Sequence, residues 1–366
     1  MSIISQRVLN RALLARQMLL AREKTTALDA IARVVGLQAQ VPRPPFIGLW
    51  TRLHGFDRAE LTAALHDRSA VRVTSLRGTL HVMTTPDYLA MRGALQPMLS
   101  KGMQSILRAR GSGLDLETLD AEAREFFGKR TATFDALRDH VKAKYPTGDE
   151  RAMAFAIRTH VPLVQVPTPD APWAFPAAAD FALADRWLSK KVSTKATPPE
   201  ALVLRYLAAF GPATPGDAQA WSGLSGLRDT FEALRPSLVT FRDARKRELF
   251  DLPGAPRPDE DTPAPVRFVP DYDNIVLSHD DRSRIIADAH RPRVTLKNLQ
   301  VRATFLVDGM AAGTWKSERK RKAAVLVIEP FGAVTKKARA ELEREGESLL
   351  AFLEGDATER EIRWTS

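Results

Sequence analysis

Apolar residues recur at helical spacing near the start of the chain, and a strand-like stretch follows them. Residues 5–20 and 25–35 carry apolar stripes with a spacing of three or four, which predicts two helices, and Thr26 or Thr25 can cap the second. A third helix is predicted after Asp57. Residues 70–84 then read AVRVTSLRGTLHVMT, two β-branched stretches around Arg77 and Gly78, which predicts a hairpin. Three helices followed by a hairpin form the order of a winged-helix module.

The same order of elements occurs twice more, although the letters of the sequence do not repeat. A long helix is predicted from Thr85 to about Arg110, where Gly-Ser-Gly interrupts it. A second group follows with helices in DLETLDAEAREFFGK, TFDALRDHVKAKY and ERAMAFAIRTHV, and with two strands in LVQVPTPDAPWAFP. After the basic linker SKKVSTKATPP, a third group has helices in PPEALVLRYLAAFG, TPGDAQAWSG and GLRDTFEALRPS and a hairpin in SLVTFRDARKRELFDLP.

The last third of the chain is rich in strand-forming residues. After the acidic, proline-rich PGAPRPDEDTPAP, strands are predicted in VRFVP, IVLS, RVTLKNLQVRATFLVD, MAAGTWK and AAVLVIEPF. Asp308 and Gly309 form a hairpin signal, and KKARAELEREGESLLAFLEG predicts a closing amphipathic helix.

These patterns together predict an α+β fold that is mainly α. We expect a winged-helix module over residues 1–110, a second module with its linker over 111–196, and a third over 197–260. Residues 261–366 form a β-rich C-terminal region with a closing helix.

Composition narrows the classes of function. Lysine and arginine total 54 against 44 acidic residues, a net charge of +10, which favours a polyanionic partner such as nucleic acid, although a solvated basic surface is the alternative. The chain has no cysteine, and its seven histidines lack the spacings of metal sites, so we expect no metal and no cofactor. Neither a long apolar run nor a signal peptide is present, which predicts a cytoplasmic protein without a membrane partner.

Two amides one residue apart stand out in GLQAQVPRPP, residues 36–45. Gly36 is a natural helix terminator, and the residues before Pro42 and Pro44 are biased away from the α region, so we expect an extended segment. In an extended segment Gln38 and Gln40 point to the same side. Two amide carbonyls can position a water and favour positive charge that develops nearby, whereas solvated loop glutamines are the bland alternative.

Other candidate positions are weaker. Arg77, Thr79 and His81 alternate along one face of the first wing strand and could face a groove, and Arg245, Lys246 and Arg247 place three cations at the tip of the third hairpin. In PDYDNIVLSHDDRSR a metal or acid–base site competes with ordinary turn structure; its polar residues include Asp271, Asp273, Asn274, His279 and Arg282. A basic loop is predicted between two strands; it holds Lys316, Arg319, Lys320, Arg321 and Lys322.

The whole chain resembles the bacterial winged-helix DNA glycosylases of the AlkZ type. The motifs that carry the resemblance are GLQAQ, LRGTLHVM, PDYDNIVLSHDDRSR and FLVDGMAAGTW, and it extends over residues 5–355. It implies three tandem winged helices around a C-shaped channel for duplex DNA. It also implies a Gln-x-Gln catalytic motif, matched by Gln38 and Gln40, that hydrolyses the N-glycosidic bond of bulky or crosslinked N7-alkylated guanine.

The resemblance assigns expected roles to the candidate residues. DNA contacts are expected from Arg43, Arg77, Thr79, His81, Arg245, Lys246, Arg247, Arg282, Lys316 and Arg319, and Asp271, Asp273, Asn274 and His279 are candidates for lining the channel. An N7-alkylguanine is cationic and leaves without protonation, so uncharged amides suffice and we expect a monofunctional enzyme. Three modules without a zipper or dimerisation tail predict a monomer. The alternative is a winged-helix regulator or architectural factor that binds DNA without cleaving it.

Overall fold

Helices make up most of the first two thirds of the chain in the computed structural model, which describes residues 2–110, 113–128 and 130–365. The first group consists of α1 (Gln6–Arg16), α2 (Ala27–Arg33), α3 (Pro44–Arg52) and α4 (Arg58–His66). The side chains of Thr26 and Asp57 accept hydrogen bonds from the first-turn amides of α2 and α4, as the sequence predicts.

Helix α3 was not predicted, and it corrects one expectation about the prolines. Arg43 has φ −67° and ψ −43°, in the α region rather than the extended region expected before a proline. Pro44 and Pro45 occupy the first two positions of α3, where a missing N–H removes no helical hydrogen bond. The extended segment after Gly36 is therefore short, because α3 begins four residues after Gln40.

The remaining helices of this part agree with the predicted groups, except for α9, which was not predicted. They are α5 (Thr85–Arg110), α6 (Leu116–Phe127), α7 (Phe134–Lys144), α8 (Glu150–His160), α9 (Ala184–Leu188), α10 (Glu200–Phe210), α11 (Pro215–Ser222) and α12 (Leu227–Leu234). The break predicted after Arg110 falls on Gly111 and Ser112, which lie outside the described residues.

The first two hairpins join into a single sheet. Its strands are β1 (Leu37–Gln38), β2 (Ala70–Thr74), β3 (Leu80–Thr84), β4 (Leu163–Gln165) and β5 (Phe181–Leu183), in the antiparallel order β1-β3-β2-β4-β5. The strand predicted in WAFP is wrong. Trp173 instead packs edge-on against Phe46, with ring centroids 5.3 Å apart, so the apolar run is explained by core packing rather than by strand pairing.

Two further sheets complete the fold. The third hairpin pairs β6 (Val239–Arg242) with β7 (Glu248–Asp251), as predicted. The C-terminal sheet has the order β12-β11-β10-β9-β8; its strands are β8 (Arg267–Val269), β9 (Thr304–Val307), β10 (Met310–Lys320), β11 (Ala323–Pro330) and β12 (Glu359–Trp364). Two helices belong to this region, α13 (Arg291–Val294) and α14 (Lys336–Leu353). Strand β12 was not predicted and pairs in parallel with β11.

Three predictions for the C-terminal region need correction. The stretch IVLS forms a 3₁₀ turn over Asn274–Val276, and the start of RVTLKN lies in α13. Lys316, Arg319 and Lys320 belong to β10 rather than to a loop. In contrast, the hairpin turn at Asp308 and Gly309 is confirmed, since both residues have positive φ (47° and 79°).

The segment that carries the two glutamines is anchored in three parts of the core. Val35 packs with the first sheet and α10, Leu37 and Ala39 pack among α2–α4, and Ile47 packs under the C-terminal sheet with α14. The segment thus packs between parts of the core that are far apart in sequence. The prediction of a mainly helical α+β chain is confirmed, while the module boundaries and the C-shaped channel stay predictions.

Candidate active site

Gly36 and a short strand set the direction of the glutamine segment. Gly36 has φ +88°, and a Cβ there would lie 3.2 Å from the carbonyl oxygen of Val82, so glycine suits this turn after α2. Strand β1 then pairs with β3, with Gln38 opposite His81. The predicted helix end and extended start of the segment are confirmed.

Asn274 and Asp273 hold this segment from behind. The Asn274 side-chain amide donates to the carbonyl oxygen of Gly36 at 2.6 Å and to that of Val34 at 3.2 Å. Asp273 accepts two hydrogen bonds from the guanidinium of Arg52 on α3, at 2.9 and 2.8 Å, and both side chains are fully buried. Part of the PDYDN motif is therefore bound to the two helices that flank the glutamines.

Gln38 is buried, and its amide orientation is fixed by Arg77. The oxygen Oε1 of Gln38 accepts a hydrogen bond from Nη2 of Arg77 at 2.7 Å, and Nη1 of Arg77 donates to the carbonyl of Trp221 on α11. Arg77 has φ 55° and is in the turn Leu76–Gly78. Burial, followed by the charge of Arg282, lowers the pKa of Arg77 to about 10, so it stays cationic at neutral pH.

Gln40 is exposed, and its side-chain oxygen accepts a hydrogen bond that a backbone carbonyl would otherwise accept. Its Oε1 accepts from the backbone N–H of Leu80 at 3.0 Å. The carbonyl of Ala39 instead accepts from Nε and Nη2 of Arg72, at 2.9 and 2.7 Å. Each amide oxygen thus accepts one hydrogen bond from the protein, and its second lone pair has no partner among the described residues.

A cavity of about 410 Å³ opens beside Gln40. Arg72, Arg158 and Gln165 provide polar groups on its wall, and Phe134 and Phe181 are among the apolar ones. None of these three polar residues was a candidate site residue on the basis of the sequence. An arginine within the apolar strand VRVT was the available signal, but its neighbours come from β4 and α8, more than 80 residues later.

His81 is buried beside this arrangement and cannot act as an acid at neutral pH. Its Nδ1 lies 3.1 Å from the carbonyl of Thr79, which only accepts, so Nδ1 carries the proton. Nε2 is then an acceptor without a partner among the described residues. Burial, and secondarily the charge of Arg77, lower the pKa of His81 to about 3.

The predicted alternation of Arg77, Thr79 and His81 along one strand face is wrong. Arg77 and Thr79 belong to the tight turn between β2 and β3, and only His81 lies in a strand. The hydroxyl of Thr79 donates to the carbonyl of Leu76 within the turn.

The exposed arginines at the tip of the third hairpin are paired with carboxylates. Arg245 lies 3.1 Å from Asp281, and Arg247 lies 2.6 Å from Asp281 and 2.7 Å from Asp243. Lys246 has no such partner among the described residues and has φ 64°.

The cations of the C-terminal region are also engaged with protein groups. Lys316 pairs with Glu318 at 2.7 Å, and Arg319 pairs with Asp356 at 2.8 Å. Arg282 donates to the hydroxyl of Thr295 at 3.0 Å.

Arg43 joins α3 to β10. It donates to the hydroxyl of Ser317 at 2.6 Å, and its guanidinium lies over the ring of Trp173. DNA contacts by Arg43 and the other predicted cations stay predictions.

Asp271 and His279 are engaged within the protein. Asp271 accepts from the backbone of Ala303, and burial raises the pKa of its carboxyl. His279 contacts the carbonyl of Phe210 through Nε2 and the hydroxyl of Ser278 through Nδ1, and burial lowers its pKa. Within the described ranges, no group of side chains is arranged to hold a metal ion. These contacts favour the structural interpretation of the motif over an acid–base one, and channel lining stays a prediction.

Comparisons with known proteins agree with the motif-based resemblance. A family model described as DNA glycosylase AlkZ-like matches residues 31–352. No curated protein matches the chain by sequence. The solved structure of the Streptomyces sahachiroi DNA glycosylase AlkZ is similar in fold, with a TM-score of 0.79 and 21% identity, over 99% of this chain and 100% of that chain. No described helix is long and apolar enough to cross a membrane. Because the family model matches most of the length of this chain, the chain belongs to the AlkZ-like DNA glycosylase family.

Proposed function

We propose that this DNA glycosylase hydrolyses the N-glycosidic bond of N7-alkylated guanine in duplex DNA, including bulky or crosslinked adducts, as a monofunctional and monomeric enzyme. The observation that supports this most directly is the environment of the two glutamines. Their amide oxygens are oriented by Arg77 and by the backbone of Leu80, while the neighbouring His81 is held neutral with a pKa of about 3. The site offers fixed dipoles and no side chain of this set that could protonate a base at neutral pH.

An N7-alkylated guanine fits such a site because of its own charge. The alkylated base is already cationic and departs as a neutral base, so no general acid is required. Positive charge then develops on the deoxyribose, where carbonyl oxygens stabilise it and a held water attacks. The bond between the base nitrogen and the sugar carbon breaks, water adds to that carbon, and the released proton goes to solvent.

The two glutamines have different proposed parts. Gln40 is exposed and uses its free lone pair and N–H groups to hold the attacking water. Gln38 is only 7% exposed and presents a carbonyl whose direction Arg77 fixes. No lysine is required to form a Schiff base. The family membership favours this enzyme over the alternative of a DNA-binding protein that does not cleave.

The test uses a duplex that contains one N7-methylguanine. We expect alkali-labile abasic sites to appear with wild-type protein and the single-turnover rate to fall about 10²- to 10³-fold in Gln40→Ala and in Gln38→Ala, as for removal of one group that stabilises charge in a transition state. Gln104→Ala, an exposed glutamine on α5, is the matched control and should retain the wild-type rate. Unchanged rates in both glutamine variants would show that the proposed mechanism is wrong. Borohydride should trap no covalent protein–DNA product.

A further inference from the structure

The cavity beside Gln40 contains two arginines without carboxylate partners. The guanidinium of Arg158 lies over the rings of Phe134 and Phe155, 5.3 and 5.0 Å from their centroids, and it has no hydrogen bond or ion pair to any described residue. Arg72 donates to backbone carbonyls and lies 4.9 Å from the ring centroid of Phe175. Two cations therefore share one wall with no opposite charge bonded to either.

Gln165 adds an unpartnered polar group to the same wall. It lies directly opposite Arg72 in the β2–β4 pairing, so both side chains project from the same face of the sheet. Gln165 is 9% exposed, and its Oε1 has no hydrogen-bond partner within the described part of the chain. A buried amide of this kind costs free energy unless a ligand or water completes it.

The remaining wall also suits an anion. The first turn of α7 borders the cavity through Thr133, Phe134 and Asp135, and the amides at a helix N-terminus attract negative charge. Asp135 is the one carboxylate among the lining residues, and it lies 3.2 Å from Arg138. Burial, and secondarily the charge of Arg158, lower the pKa of Arg72 to about 10, so an anion would relieve the repulsion between the two arginines.

We propose that this cavity binds a DNA backbone phosphate next to the damaged nucleotide, with Arg72 and Arg158 as its donors and Oε1 of Gln165 as the acceptor for a water that bridges to the phosphate. The inference rests on the proposed function, which puts Gln40 at that nucleotide. Phosphate oxygens only accept hydrogen bonds, and guanidinium groups only donate them, often in pairs. The apolar wall at Leu80 and Phe181 suits the attached deoxyribose.

The experiment measures binding to a duplex that cannot be cleaved. Each duplex carries one tetrahydrofuran abasic analogue and one neutral methylphosphonate, placed in turn at each linkage within five nucleotides of the analogue. We expect wild-type affinity to fall about 10- to 100-fold at one linkage within two nucleotides, as for a lost charged hydrogen bond. Arg158→Gln should bind the unmodified duplex more weakly by a similar factor and should no longer respond to methylphosphonate at that linkage.

Two variants control for charge and folding. Arg138→Gln removes a cation from α7 near the cavity and should keep the wild-type response at the same linkage. Arg158→Lys should recover part of the response, and all three variants should melt within a few degrees of wild type.

Two results would overturn the proposal: Arg158→Gln responding like wild type at every linkage, or its response disappearing only at a linkage beyond two nucleotides. Because binding here needs no chemistry, these results are separate from the glutamine rates that decide the proposed function.

Discussion

The two basic hairpins of the molecule differ in the groups to which their arginine side chains are bonded. At the turn between β6 and β7, Arg245 and Arg247 are exposed or half-buried and bonded to the carboxylates of Asp281 and Asp243. At the β2–β3 hairpin, Arg72 is buried and Arg77 is half-buried; they donate to backbone carbonyls and to Gln38, and neither forms a salt bridge with a described carboxylate. The turn that is most basic in sequence thus has the more neutralised cations.

This difference indicates where charge is available for DNA. A buried guanidinium without a carboxylate is costly to desolvate, and such a group is retained only where other interactions offset the cost. At the first hairpin these interactions are with the glutamine segment, where Arg77 orients the amide of Gln38 and Arg72 binds the carbonyl of Ala39. At the third hairpin the carboxylates cancel much of the field that the arginines would offer to a phosphate.

After the two glutamines themselves, the largest expected effect is the loss of Arg77. In Arg77→Met the amide of Gln38 loses its charged donor, and we expect the single-turnover rate on N7-methylguanine DNA to fall about 10- to 100-fold. Affinity for the tetrahydrofuran duplex should change less than about threefold, because Arg77 is proposed to act through Gln38. Arg77→Lys should recover part of the rate. A parallel loss of rate and affinity would instead indicate that Arg77 contacts DNA directly and would remove the contrast between the turns.

The second effect concerns the residue that supports the first hairpin from behind. Asn274→Ala leaves the buried carbonyl of Gly36 without its 2.6 Å donor, so the free energy of unfolding should fall by about 1–3 kcal/mol in urea titrations. Gln104→Ala removes an exposed amide side chain on α5 and should change it by less than about 0.5 kcal/mol. If the two variants are equally stable, Asn274 does not hold the segment.

Part of this arrangement could be predicted from sequence, and part could not. Helices with a capping residue and a clear stripe, such as α2 and α4, were predicted because these signals are local. The two glutamines were selected because Gly36 and the prolines were expected to restrict the backbone around them, and their catalytic role stays a prediction. The cavity was missed because Arg158 and Gln165 meet Arg72 only through the pairing of β2 with β4 and the packing of α8. Asp281 lies 34 residues after Arg247, so counting the charges near Arg247 in the sequence could not identify it as the partner.

The third expected effect is a pH dependence of the free energy of unfolding that arises from His81 in the β2–β3 hairpin. The folded pKa of His81 is about 3, well below the ordinary value of 6.5, so protonation favours the unfolded chain. The stability contributed by neutral His81 is complete above pH 6.5 and is lost as the pH falls towards 3. His81 contributes about 2 kcal/mol of the loss between pH 7 and pH 5, and buried His279 adds a loss of its own, so the pH dependence of the free energy of unfolding in urea should be about 2 kcal/mol smaller in His81→Gln than in wild type. An equal pH dependence in wild type and variant would show that His81 is not the responsible group.

The smallest effect is expected at the third hairpin. Replacing Arg245, Lys246 and Arg247 with alanine should shift the slope of log K against log salt by about 1, because only Lys246 lacks a carboxylate partner and each phosphate contact contributes about 0.9. A shift above about 2 would mean that the salt bridges open on DNA and that the turn is as available as its sequence suggests. The variant Asp281→Asn tests the restraint on the arginines directly, because it removes the carboxylate with which Arg245 and Arg247 both pair. If that carboxylate restrains them, this variant should bind undamaged duplex more tightly and with a steeper salt dependence than wild type.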